Sequence, residues 1–94
     1  MDSWIVAYDI SDAKRLRKVA TACEDYGARR QLSVFLMRLS KTDFARLRSR
    51  LYELIDKKED QVLFIPLCAT CVQKIEAIGR PTEAADARDV VLVV

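Results

Sequence analysis

Carboxylates, thiols and amines are the groups with which this sequence could carry out chemistry, because its 94 residues include no histidine. The absence of imidazole excludes Ser-His-Asp and Cys-His triads, histidine-based acid–base nucleases and every zinc site that requires histidine. Catalysis must therefore rest on a carboxylate, a thiol, an amine or a bound metal ion. Asp9 is the first candidate, because it closes the first apolar segment of the chain. The residues alone leave open whether Asp9 is functional or a solvated strand-end carboxylate.

The thiols are three in number: Cys23, Cys68 and Cys71. An odd count without an export signal predicts reduced thiols and argues against a disulfide scaffold. Cys68 and Cys71 form a CxxC motif, which is half of a zinc-ribbon ligand set. Because no second half is present, we expect buried or turn thiols at these positions in preference to a metal site.

Basic residues are unevenly distributed, although the net charge is only +2. Residues 1–56 hold 11 Lys and Arg against 8 Asp and Glu, whereas residues 57–94 hold 5 against 6. Three groups carry much of this charge: Lys14, Arg15, Arg17 and Lys18; Arg29 and Arg30; and Arg46, Arg48 and Arg50. Arginine can bind phosphate oxygens in a bidentate way, so the groups indicate either a nucleic-acid surface or ordinary solvated helix faces.

The composition is that of one small packed domain, with 51% hydrophobic and 32% charged residues. No apolar run approaches the roughly 20 residues that cross a bilayer. Asp2 and Asp9 interrupt the N-terminal apolar stretch, which argues against a signal peptide. We therefore expect a cytoplasmic protein with no membrane association.

The first half of the chain predicts the elements that position Asp9. Trp4–Ile10 is continuously apolar and β-branched, which is typical of a buried strand. Ser11 or Asp12 caps the following helix, and Gly27 ends it. One face of this helix carries the apolar residues Leu16, Val19, Ala20 and Cys23.

The rest of the pattern alternates strand and helix. Residues 28–39 read as a strand that bends or reverses near Leu32 and Ser33. Caps at residues 40–43 precede a second helix whose apolar face holds Phe44, Leu47, Leu51 and Leu54. Residues 56–61 form a loop, residues 62–67 a strand that ends or lies at an edge near Pro66, and residues 74–78 a short strand. This order predicts an α+β, ferredoxin-like sandwich.

Residues 90–94 are five consecutive large apolar residues that predict a closing strand. An uncovered strand of this kind would promote aggregation, so it must pair. Its partner is either the chain's own sheet edge or the sheet of a second protomer.

Four segments resemble one family of proteins. They are Tyr8-Asp9-Ile10, the helix segment Lys14-Arg15-Leu16-Arg17-Lys18-Val19-Ala20, the stretch from Glu24 to Phe35, and Pro66-Leu67-Cys68 followed by Lys74-Ile75-Glu76. From about Trp4 to Gly79 the chain is similar to the Cas2 family, small CRISPR-associated proteins of the spacer-acquisition machinery. Residues 80–94 match only in ending on a strand.

The resemblance implies a ferredoxin-like βαββαβ fold over residues 1–79 and, over residues 80–94, a tail with a strand that completes a homodimer. It implies that Asp9 is the catalytic carboxylate and the ligand of Mg²⁺ or Mn²⁺. The implied activity is metal-dependent endonuclease cleavage of RNA or double-stranded DNA in antiviral defence. The alternative is a non-catalytic DNA-binding bridge between integrase dimers, and either way a CRISPR integrase is the expected partner.

The resemblance also assigns residues around the dimer cleft. By motif these are Tyr8, Arg15, Arg17, Arg29, Ser33 and Phe35, and Arg30 joins the expected nucleic-acid-binding arginines. Arg30 and Leu36 depart from the family pattern, which usually has an apolar and an acidic residue there. If Leu36 replaces a metal ligand, this chain lacks it.

Several alternatives stay open at this point. Because Mg²⁺ takes one or two protein carboxylates and several waters, Asp9 from each protomer of a symmetric dimer can face one ion. Asp12 either caps its helix or supports the metal site from a second layer. Tyr8 and Phe35 are either core aromatics or base-stacking platforms. A ferredoxin-like module unrelated to nucleic acid is the remaining hypothesis.

Overall fold

A four-stranded antiparallel sheet, with strand order β2-β3-β1-β4, carries the helices of the chain. The computed structural model describes residues 1–79. The elements, in chain order, are β1 (Asp2–Asp9), α1 (Ala13–Glu24), β2 (Gly27–Gln31), β3 (Val34–Leu39), α2 (Lys41–Leu54), β4 (Gln61–Leu67) and α3 (Ala69–Gln73). This arrangement confirms the predicted α+β, ferredoxin-like fold. The predicted tail over residues 80–94, including its closing strand, lies outside the described residues.

The core lies between one face of the sheet and the two long helices. Alternation along β1 and β3 turns every second side chain to this face. The residues that are fully or almost fully buried there are Val6, Tyr8, Phe35, Met37 and Leu39 from the sheet, and Val19, Ala22, Cys23, Leu47 and Leu51 from the helices. Asp12 caps α1 by accepting a hydrogen bond from the Arg15 amide at 2.9 Å, and Ser40 caps α2 by accepting one from the Asp43 amide at 3.1 Å.

The chain reverses at Leu32 and Ser33, between β2 and β3, as the sequence predicts. Two hydrogen bonds from Tyr8 hold the reversal against β1. Its amide donates to the Ser33 carbonyl at 3.0 Å, and its hydroxyl donates to the Leu32 carbonyl at 3.1 Å. These bonds join the tip of the β2–β3 hairpin to the strand end that carries Asp9.

Gly27 has a different role from the predicted one. Helix α1 ends at Glu24, and Gly27 begins β2 opposite Met37. A Cβ atom at Gly27 would overlap Met37 Cγ and would lie 2.8 Å from the Leu36 carbonyl oxygen. Glycine is therefore required for close packing between two strands, and the prediction that it ends the helix is wrong.

The segment after β4 also differs from the prediction. Residues 69–73 form the short helix α3, and Lys74 caps it by donating hydrogen bonds to the carbonyls of Thr70 and Cys71. Within residues 74–78 only Ala77 forms an isolated bridge, so the short strand expected there is wrong. Pro66 does lie in an edge strand of the described sheet, where a residue without an N–H is tolerated.

The second face of the sheet is apolar and only partly covered by residues 1–79. Ile5 and Ala7 of β1 lie between Val34 and Leu36 of β3 and the outer strand β4. On β4, Leu63 remains 47% exposed and Ile65 44% exposed. We call this surface, made of Ile5, Ala7, Val34, Leu36, Leu63, Ile65 and Leu67, the open face. None of the helices in the described part of the chain has the length and apolar character to span a membrane.

Candidate nucleic-acid site at the end of strand β1

Asp9 is the last residue of β1 and is exposed, whereas Val6 and Tyr8 of the same strand are buried. It pairs with Gln61 of β4, so the strand ladder continues up to this residue. Alternation places its Cβ on the same side of the sheet as Ile5 and Ala7, which is the open face. The backbone is thus fixed at Asp9 while the carboxylate remains accessible.

A groove of about 570 Å³ opens beside this strand end. Five of the predicted site residues line it: Tyr8, Asp9, Arg17, Arg29 and Ser33. Helix α1 contributes Thr21 and Glu24 to the same wall as Arg17, because these residues recur at helical spacing. The groove therefore brings two guanidinium groups and the Ser33 hydroxyl close to Asp9 at the strand end.

Arg29 is held in place within the groove. Its Nη2 donates to Glu24 Oε1 at 3.1 Å, and its guanidinium carbon lies 5.3 Å from the centre of the Phe35 ring. A guanidinium group over an aromatic face is stabilised by the ring quadrupole. Arg17 is exposed on α1 and lines the same groove.

The aromatic residues belong to the core. Phe35 is fully buried, and Tyr8 is 6% exposed with its ring centre 6.1 Å from that of Phe35. Burial raises the pKa of Tyr8, and its hydroxyl is already engaged with the Leu32 carbonyl. Of the two alternatives for these residues, the structure favours the core aromatics and shows no exposed ring face at Phe35 for a base to stack on.

Arg15 and Arg30 lie elsewhere. Arg15 Nε donates to Asp60 Oδ2 at 2.8 Å, so this guanidinium is engaged in an internal ion pair. Arg30 is partly buried at the β-bulge between Arg29 and Gln31, and it is not among the residues that line the groove. Nucleic-acid binding by these two arginines stays a prediction.

Asp60 is the residue that sequence reasoning missed. Its side chain is fully buried in the loop before β4, where its carboxylate accepts hydrogen bonds from Arg15, from the Ser11 amide at 3.0 Å and from the Asp56 amide at 2.9 Å. The Arg15 guanidinium and these amides hold the pKa of Asp60 well below its usual range. The cluster fastens Ser11, two residues after Asp9, to the loop that leads into β4.

Asp12 behaves as a helix cap. Its carboxylate accepts from the Arg15 amide, and this hydrogen bond lowers the pKa of Asp12. Of the two alternatives for this residue, the structure supports capping.

A divalent cation fits this site only in part when one chain is considered. Within residues 1–79 no three His, Cys, Asp or Glu side chains come together as a cation site. Asp9 supplies one accessible carboxylate, and Glu24 of the same groove is paired with Arg29. Mg²⁺ accepts one or two protein carboxylates with several waters, so a second Asp9 from another protomer would complete a suitable ligand set.

Basic side chains extend from the groove across the helices. Arg17 and Thr21 also line a smaller depression of about 250 Å³ with Lys18, Arg50 and Leu54, between α1 and α2. Arg50 in turn lines a shallow surface on α2 with Lys41 and Arg46. We call the line Arg17, Lys18, Arg50, Arg46 and Lys41 the basic strip. Its charge is partly offset, because Arg50 Nη1 lies 2.9 Å from Asp25 Oδ2.

Comparisons with known proteins agree on one family. The model of the family described as CRISPR associated protein Cas2 matches residues 1–75. The CRISPR-associated endoribonuclease Cas2 3 of Synechocystis sp. is 38% identical over 78 residues, covering 83% of this chain and 85% of the relative. The CRISPR-associated endonuclease Cas2 of Halalkalibacterium halodurans is 38% identical over 80 residues, covering 80% of this chain and 83% of the relative.

Solved structures give the same picture. The crystal structure of Streptococcus pyogenes Cas2 at pH 6.5 has a TM-score of 0.76 at 35% identity and covers 82% of this chain and 99% of that one. A chain of a partial Cas6-RT-Cas1–Cas2 complex has a TM-score of 0.67 at 24% identity, covering 79% of this chain and 87% of that one, and shows likeness of fold alone.

Proposed function

The chain belongs to the CRISPR-associated Cas2 family, and from this premise we propose that it is a metal-dependent endonuclease that hydrolyses phosphodiester bonds in RNA or double-stranded DNA. One observation carries the proposal. Asp9, whose side chain is exposed, lines the groove at the end of β1 together with Arg17, Arg29 and Ser33. The names of the relatives, endoribonuclease and endonuclease, support the same class of reaction.

In this proposal some residues of the groove bind the substrate and Asp9 takes part in the chemistry. Arg17 and Arg29 bind non-bridging phosphate oxygens, and the Glu24 and Phe35 contacts keep the Arg29 guanidinium oriented before substrate arrives. The Ser33 hydroxyl donates to a phosphate or sugar oxygen. Asp9 would hold the cation, Mg²⁺ or Mn²⁺, which would supply activation of an attacking water and neutralisation of phosphate charge.

A homodimer brings the second Asp9 to the site. On the open face, Leu63 and Ile65 are about half exposed and the other apolar side chains are partly exposed. Contiguous apolar surface of this kind is characteristic of protein interfaces. Because Asp9 projects from the same side of the sheet, a two-fold axis near this strand end sets the two carboxylates toward each other. This arrangement supports both the dimer and the shared cation.

A second candidate function is favoured by the basic strip. Arg50, Arg46 and Lys41 lie on α2, away from Asp9, where they add phosphate contacts without any role in cleavage. We therefore keep as the alternative a non-catalytic, DNA-binding bridge between integrase dimers during spacer integration. In either case we propose a CRISPR integrase as partner, a role in antiviral defence and action in the cytoplasm. The solved complex of a protein of this fold with Cas1 supports the integrase proposal.

Cleavage assays with defined metals test the proposal. Purified protein is incubated with end-labelled single-stranded RNA and with duplex DNA in Mg²⁺, in Mn²⁺ and in EDTA. We expect cleavage with metal, none in EDTA, and recovery when the metal is added back in excess. Cleavage that persists in EDTA would contradict metal dependence. Absence of cleavage across metals and pH values, with normal spacer insertion beside the integrase, would establish the bridge.

A further inference from the structure

Two exposed thiols lie side by side at the end of the sheet opposite Asp9. Cys68 and Cys71 have their Sγ atoms 3.3 Å apart, and both side chains are accessible to solvent. The Cys71 amide also donates to Cys68 Sγ at 3.4 Å. Neither the carboxylate site nor the basic strip uses these residues.

The local backbone explains why the thiols meet. Cys68 is the N-cap of α3, with extended φ and ψ of −77° and 166°, and Cys71 is the third residue of the helix. The N-cap and third helical positions lie close together, as in the capping box, where the side chain of each residue accepts a hydrogen bond from the backbone N–H of the other. The spacing of three positions between Cys68 and Cys71 therefore brings the two thiols into contact. The two Sγ atoms, 3.3 Å apart, must approach further to form a disulfide bond of about 2.05 Å.

The two thiols differ from each other and from the third. The hydrogen bonds from Cys71 lower the pKa of the Cys68 thiol, and its neighbour Cys68 raises the pKa of the Cys71 thiol. Burial raises the pKa of Cys23 to about 12, and this side chain is fully buried among core residues. Because the thiolate is the nucleophile, Cys68 is set to attack first and Cys71 second, while Cys23 is inert.

We propose that Cys68 and Cys71 form a redox-active dithiol site that reacts reversibly with low-molecular-weight disulfides such as glutathione disulfide. The Cys68 thiolate attacks one sulfur of the oxidant, whose S–S bond breaks, and one glutathione leaves as a thiolate that takes a proton from water. Cys71 then gives its proton to water and attacks Cys68 Sγ. The Cys68–Cys71 bond forms, and the second glutathione leaves as a thiolate that is protonated. Two protein thiols are oxidised and one glutathione disulfide is reduced to two thiols.

The site is separate from the proposed nuclease site. Leu67, next to Cys68, pairs with Ser3 at the start of β1, whereas Asp9 pairs with Gln61 at the other end of β4. Six residue steps of strand place about 20 Å between the two ends. Oxidation of the dithiol is therefore local, and its test does not depend on cleavage.

The test is oxidation of the native, reduced protein in a series of glutathione redox buffers, followed by alkylation and intact mass measurement. We expect the wild type to lose two hydrogen atoms per chain, with peptide mapping placing the bond between Cys68 and Cys71. Cys23 of the same molecule is the internal control and stays reduced. Dithiothreitol restores the original mass.

Two variants identify the order of attack. Cys71→Ser removes the resolving thiol, so we expect a stable mixed disulfide of one glutathione on Cys68. Cys68→Ser leaves Cys71 alone. Because Cys68 Sγ keeps the hydrogen bond from the amide of residue 71 in the first variant, we expect Cys71 to react more slowly with the same oxidant at neutral pH than Cys68 does there.

Several results would overturn the proposal. They are a wild type that stays reduced across the buffer series, a wild type that accumulates the glutathione adduct, covalent dimers as the main oxidised product, and equal reactivity in the two serine variants. Each of these results is measured on the thiols. A negative result therefore does not affect the proposed nuclease function, and loss of cleavage does not affect the proposed dithiol site.

Discussion

Replacing Ile65 with alanine should weaken self-association while leaving the protomer folded. Ile65 lies on the open face, in the outer strand β4, where it pairs with Ile5 of β1. It is 44% exposed in the single chain, so the proposed dimer would bury a further part of its side chain if a second copy covers this face. The substitution shortens an accessible side chain and leaves the helix-facing core untouched.

The size of the effect follows from the exposed fraction. Complete burial of an isoleucine side chain stabilises by about 1.5–3 kcal/mol, and somewhat less than half of that remains to be gained at Ile65. Each protomer of a two-fold dimer contributes one Ile65, so the loss of association free energy is about 1.3–2.6 kcal/mol per dimer. Since every 1.4 kcal/mol is a tenfold change, the dimer Kd should rise by about 10- to 70-fold.

Sedimentation equilibrium over a concentration series measures this Kd directly. Tyr52→Ala is the matched control, because Tyr52 is a 63% exposed apolar side chain on α2, in the helix layer away from the open face. Far-UV circular dichroism and thermal melts confirm that both variants are folded. If Ile65→Ala and Tyr52→Ala associate with the same Kd as the wild type, the open face is not the dimer interface.

Three further predictions concern stability and binding. Asp60→Asn should lower the Tm at pH 7, and the difference from the wild type should shrink as the pH falls below about 4. The reason is that a carboxylate with a depressed pKa stabilises the fold only while it is ionised. A Tm difference that stays constant across this pH range would contradict the role of the ion pair. Gly27→Ala should lower the free energy of unfolding measured in urea by about 1–3 kcal/mol, because the added Cβ overlaps the Met37 side chain. An unchanged urea midpoint of unfolding would refute the close-packing argument. Arg17→Ala should reduce the magnitude of the slope of log K against log salt concentration on duplex DNA by about 0.9. Because the Arg15 guanidinium is paired with Asp60, Arg15→Ala should change this slope less and should lower the Tm instead. Equal slopes in the two variants would contradict this difference between the two arginines.

The fold was predictable where local pattern and structure coincide. The apolar run ending at Asp9 forms β1, and the helix caps Asp12 and Ser40 are where side-chain chemistry favours them. The reversal at Leu32 and Ser33 was predictable from the excessive length of a single strand, although no glycine marks it. Sequence patterns predict these elements because the conformation of each depends on residues that are close together in the chain.

The site was only partly predictable because it depends on pairings between distant residues. Asp60 lies in a polar segment that reads as an ordinary loop, and its partner Arg15 is 45 positions away. Arg15 and Arg17 belong to one basic group, yet two residues on a helix point in different directions, so one pairs with Asp60 and the other lines the groove. The five-residue helix α3 is too short to show a helical period, which is why the contact between Cys68 and Cys71 was not predicted.

The proposed function is tested most directly by the single-turnover cleavage rate of Asp9→Asn on labelled RNA and duplex DNA in Mg²⁺ and Mn²⁺. Asn keeps the shape and hydrogen bonding of Asp9, so the variant should fold and dimerise while the rate falls at least about 100-fold. Affinity for duplex DNA should not fall, because a dimer loses two negative charges facing the phosphates. Asp2→Asn, an exposed carboxylate at the opposite end of β1, is the matched control and should cleave like the wild type. A wild-type rate in Asp9→Asn, or an equal loss in Asp2→Asn, would contradict the assignment of Asp9 as the metal-binding catalytic carboxylate.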